Sequence, residues 1–82
     1  MPTVLRLDGL RVSIYVNDHH PAHVHVIGPD AEAAFNLNCP AGPVRARENF
    51  GFSLSRLTKI EKLLQKHVEQ LCRAWEDTHG IA

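Results

Sequence analysis

Thr3-Val4-Leu5-Arg6-Leu7-Asp8-Gly9-Leu10-Arg11-Val12-Ser13-Ile14-Tyr15-Val16 reads as two apolar stretches around Asp8-Gly9. Asp-Gly in that position signals a two-residue hairpin, because a type I′ turn requires positive φ at both central residues. Pairing across the turn sets Leu7 against Leu10, Leu5 against Val12 and Thr3 against Ile14, all on one sheet face. The other face then carries Arg6 opposite Arg11, Val4 opposite Ser13, and Tyr15.

The same alternation continues along the chain. A third strand over 22–27 turns Ala22, Val24 and Val26 to the core and His23 and His25 away from it. If Val16 pairs with Ala22, Tyr15 faces His23 and Ser13 faces His25. After the turn Gly28-Pro29-Asp30, a strand over 31–38 buries Ala31, Ala33, Phe35 and Leu37. Setting Val26 opposite Ala31 places Glu32 opposite His25. Two prolines and a glycine within residues 39–43 make a loop, and a short fifth strand is expected over 44–46. Ser53 is the expected cap of a helix over 54–77. Along it Leu57, Ile60, Leu64, Val68, Leu71 and Trp75 recur at spacings of three and four, an apolar helical stripe, and Gly80 is the stop. The fold class is α+β: an antiparallel meander of four to five strands against one long C-terminal helix. That helix would run ~36 Å against ~20 Å for a strand. It should overhang the sheet and leave Leu71 and Trp75 for a homodimer or another protein partner.

Eighty-two residues make a single domain with one modest core. Lys+Arg and Asp+Glu are nine each, so a general electrostatic nucleic-acid binder is not indicated. The chain start has neither a basic nor an apolar leader region, and no apolar run approaches the ~20 residues that span a bilayer. Cys39 and Cys72 are far apart and in no paired metal-ligand spacing, so they read as reduced thiols of a cytoplasmic protein.

Met1-Pro2-Thr3-Val4, Asp8-Gly9, the stretch Asp18-His19-His20-Pro21-Ala22-His23-Val24-His25-Val26, Gly51-Phe52-Ser53 and the segment from Trp75 to Gly80 together resemble the small bacterial Domain of Unknown Function 4160 family. The most specific piece is a His-x-Pro-Pro-His-x-His core, matched by His19, Pro21, His23 and His25, with Ala22 in place of the second proline. Thr78-His79 stands where members usually have aromatic residues. The resemblance implies a cytoplasmic bacterial protein, and members have been suggested as components of toxin–antitoxin pairs.

The histidines carry the chemistry. There are six in the chain, four of them between residues 19 and 25. His23, His25 and Glu32 on one face offer acid–base groups near neutral pH. Arg6 and Arg11, with Tyr15 to stack on a base, offer a phosphate site. That set suits metal-independent, ribonuclease-like cleavage of RNA and needs no cofactor. The alternative is a transition metal such as zinc or nickel on His23 and His25, two apart on one strand, with His19 as third ligand. A third reading is a non-catalytic interaction module. His79 is expected to be exposed, and Lys59, Lys62, Lys66 and Arg73 form a polar helix stripe with Arg45 and Arg47 before it.

Overall fold

The computed structural model describes residues 3–80. Five strands, β1 (Thr3–Leu7), β2 (Leu10–Ser13), β3 (His23–Ile27), β4 (Glu32–Asn36) and β5 (Arg45–Phe50), form one antiparallel sheet in sequence order. Two helices follow, α1 (Leu54–Gln65) and α2 (Val68–His79). Asp8 and Gly9 have φ of 50° and 77°, as the tight hairpin demands. Leu7 pairs with Leu10, Arg6 with Arg11 and Leu5 with Val12. A bulge then sets Thr3 against Ser13 instead of Ile14. Between β2 and β3, Val12 faces Val26 and Ser13 faces His25.

The β3–β4 register differs by two residues from the expected one. Val26 pairs with Ala33 and His25 with Ala34, so Glu32 lies opposite Ile27. The cause is the turn: Gly28 N–H donates to the Ala31 carbonyl at 2.8 Å, which keeps Ala31 in the loop. A two-residue step preserves side-chain parity. Ala33, Phe35 and Leu37 are therefore buried with Val12, Val24 and Val26 as expected. β5 is twice as long as expected, and all six of its residues are exposed.

One long helix was expected; two form. His67 N–H bonds the Leu64 carbonyl at 2.9 Å, and Leu71 N–H restarts the ladder on the His67 carbonyl. The interruption costs about one or two backbone hydrogen bonds at ~1 kcal/mol each. It lets α2 fold back, burying Leu71 completely and leaving Trp75 1% exposed. Burial of large apolar side chains contributes ~1.5–3 kcal/mol apiece, so the break wins. Leu71 and Trp75 are core residues and form no outer docking face.

The same break brings Cys72 against the loop after β4, where it forms a disulfide with Cys39 across a Cα–Cα distance of 5.8 Å. The expectation of reduced thiols is corrected accordingly. Ser53 caps α1 as expected, its Oγ accepting from Arg56 N–H at 3.2 Å. Ser53→Ala should lower stability by about 1 kcal/mol in urea unfolding; an unchanged midpoint would show that the cap is not formed.

Candidate metal centre

Strand β2 ends at Ser13, and the chain returns to β3 through a turn closed from both sides. Asp18 N–H donates to the Tyr15 carbonyl at 3.0 Å, and Tyr15 N–H donates to Asp18 Oδ2 at 3.1 Å. The turn aims the Asp18 carboxylate at β3. His25 Nε2 lies 3.2 and 3.1 Å from its two oxygens, and His23 Nε2 lies 3.4 Å from Oδ1. Ligand atoms of Asp18, His23 and His25 all fall within 4.8 Å of one another.

The other nitrogen of each ring is also engaged. His23 Nδ1 is 2.9 Å from the Pro21 carbonyl. A carbonyl only accepts, so Nδ1 carries the proton. In neutral His23 the Nε2 lone pair then points at the Asp18 carboxylate, acceptor against acceptor, and either a proton on Nε2 or a metal cation between them resolves that conflict. His25 Nδ1 faces Glu32 Oε2 at 4.0 Å. Metal-bound histidines characteristically donate their second N–H to a backbone carbonyl or a carboxylate; His23 has such an acceptor in Pro21, and His25 has a carboxylate nearby but beyond hydrogen-bond distance.

Burial works against ionisation of Asp18. The Tyr15 N–H and then His25 more than offset it, so the carboxyl sits below its ordinary value. Tyr15 covers His25, with ring centroids 4.5 Å apart. Burial, then Glu32, raises the Tyr15 hydroxyl above its usual value, against the pull of Arg11.

His25 and Glu32 share the polar sheet face, as expected, although Glu32 reaches His25 diagonally. His23 shares their parity but is 7% exposed, because Trp75 of α2 meets it at the first residue of β3, with ring centroids 5.3 Å apart. It is a covered side chain, not a solvent-facing acid or base. The same indole stacks on His79 at 4.0 Å, and His79 Nε2 lies 3.0 Å from the Tyr15 carbonyl. His79 is thus half-buried and tied down, against expectation.

The cluster opens into a cavity of about 300 Å³ lined by Asn17, His19, His20, Ala34, Arg47 and Glu48 besides the three ligands. His19 is exposed on its wall and is not one of the grouped donors; Asp18 replaces it in the expected triad. Arg6 and Arg11 face each other on β1 and β2 and do not line the cavity, whose guanidinium comes from Arg47. Sequence reasoning missed Asp18 as a site residue, and grouped Arg47 with Arg45 and the helix cations as a phosphate-contacting ridge instead of beside His23 and His25. Asp18 had a signal, since an aspartate just before a His-x-His strand is a turn former and a ligand type. The place of Arg47 had none, because its direction depends on a bulge.

No helix among the described residues is long and apolar enough to cross a membrane. No curated protein and no solved structure is significantly similar to the chain. The family described as a domain of unknown function (DUF4160) matches residues 9–76. With the match running from the Asp8-Gly9 turn through the histidine strand and α1 to most of α2, the chain belongs to the DUF4160 family.

Proposed function

We propose that this protein binds a divalent transition metal, zinc or nickel in the first instance, through Asp18, His23 and His25. The observation that carries the reading is the donor arrangement. Three ligand atoms converge, and the His23 Nδ1–H is held by the Pro21 carbonyl so that Nε2 is free to coordinate. The two histidine donors lie 3.1 and 3.4 Å from the Asp18 carboxylate and all three donors within 4.8 Å of one another, so a modest inward movement sets them ~2.0–2.2 Å from one ion. Three protein ligands leave a coordination position open to the cavity, the mark of a reactive rather than a structural site. At that position a metal supplies Lewis acidity or an activated water.

The test is competition with a chromophoric chelator on the full chain. Wild type should bind zinc at micromolar or tighter affinity. His23→Ala, His25→Ala and Asp18→Ala should each lose at least about 100-fold, with Glu32→Gln losing ~10-fold through His25. His19→Ala should bind normally. Equal losses from His19→Ala, or affinity unchanged by Asp18→Ala, would remove the proposal.

The His25–Asp18 contact also favours a second reading, in which the same groups work without metal. His25, oriented by Asp18, acts as acid or base on RNA, and the chain is the toxin-like member of a cytoplasmic two-protein module with an antitoxin-like partner. RNA cleavage that persists in chelator and vanishes in His25→Ala would select it over the metal reading.

A further inference from the structure

Arg47 has no partner across the sheet. The β4–β5 register steps from Ala34–Glu48 to Phe35–Ala46, which leaves Arg47 as the extra residue of a bulge. A bulge sets its extra side chain beside its neighbour instead of on the opposite face. Arg47 and Glu48 accordingly line one cavity wall together. Arg47 Nη1 donates to Asn36 Oδ1 at 3.4 Å, and Asn36 is the residue paired with His23. The guanidinium is therefore braced beside the metal ligands.

We infer that Arg47 and the open position of the metal form a joint site for inorganic phosphate or a phosphomonoester; this rests on the metal reading above. The chemistry separates phosphate from carboxylate. A carboxylate with one oxygen on the metal has a single oxygen left for the guanidinium. A phosphomonoester keeps two terminal oxygens to fill the planar two-pronged donor, whereas a diester, like a carboxylate, keeps one. Charge makes the two sites interdependent. Among the lining residues, Asp18 and Glu48 outweigh Arg47 by one negative charge when the imidazoles are neutral. A divalent ion turns that into one positive charge, so the metal-free cavity should not take phosphate.

The experiment loads the full chain with cobalt(II) and follows its visible bands during titration with inorganic phosphate, methyl phosphate, dimethyl phosphate and acetate. Phosphate should shift the bands at concentrations about tenfold below those acetate needs. Arg47→Gln should weaken the phosphate response about tenfold with cobalt affinity unchanged, and Arg47→Lys should recover part of it. Methyl phosphate should respond like phosphate and dimethyl phosphate like acetate; dimethyl phosphate as tight as methyl phosphate overturns the two-pronged contact. Failure to bind cobalt overturns the metal reading, and the subsite with it. Cobalt bound normally, with phosphate indifferent to Arg47→Gln or no tighter than acetate, overturns the subsite and leaves the metal reading standing.

Discussion

Trp75→Ala should cost about 3–5 kcal/mol and lower the melting temperature by more than about 12 °C. Trp75 is 1% exposed. Its ring fills the space between α2 and the start of β3, against His79, His23 and His20. An 82-residue domain has only ~4–12 kcal/mol in total, so the variant should approach the unfolding threshold. Trp75→Phe should be far milder. The indole Nε1 is buried without a hydrogen-bond partner among the described residues, and phenylalanine removes that unsatisfied donor. Urea unfolding of both variants decides the matter: a loss below about 1 kcal/mol for the alanine variant would place Trp75 outside the core.

Reduction of the Cys39–Cys72 disulfide is the second large effect. The bridge closes a loop over a sequence separation of 33, for which chain entropy gives about 3–4 kcal/mol of stabilisation. The double variant Cys39→Ser, Cys72→Ser should lose that amount in urea unfolding, and wild type in reductant should match it. An unfolding midpoint indifferent to reductant would show that the bridge contributes nothing. In cytosol the thiol pool reduces such bonds, whereas an oxidising compartment preserves them. The location of the protein therefore sets its working stability. Cys72 and Trp75 lie on one buried helix face, so the two losses should not add simply.

The sheet was legible because its information is local. Asp8-Gly9 set the first register, and alternation then assigned Leu10, Val12, Val24, Val26, Ala33 and Phe35 to the core, while missing buried Ala34 and placing half-buried Ala31 there. Even the two-residue misplacement of β4 left Ala33, Phe35 and Leu37 inside, since an even step changes partners without changing faces. Where the information is not local, the reading failed. The break at Lys66-His67 has no proline or glycine to announce it, and the apolar spacing runs through it unbroken. A fifth strand was expected over 44–46, but the extent of β5 to Phe50 escaped because an edge strand with no buried residue has no period to detect. Of the site, His23 and His25 were legible from their shared parity. Asp18 depended on how the Tyr15–Asp18 turn closes, and Arg47 on an irregular pairing that no spacing encodes.

Because every strand pairs with its neighbour in sequence, the sheet assembles from short-range closures, the kind that form quickly. The three proposed ligands span only Asp18 to His25, one turn and one strand start. A ribosome delivers them before α1 or α2 exists. On the metal reading, an ion encountered then would meet its ligands while His23 still lacks its indole cover, with the docking of Trp75 coming afterwards. Loading and closure would thereby be separated in time by the order of the chain, while the cavity beside Asp18, His23 and His25 stays the way in and out of the finished protein.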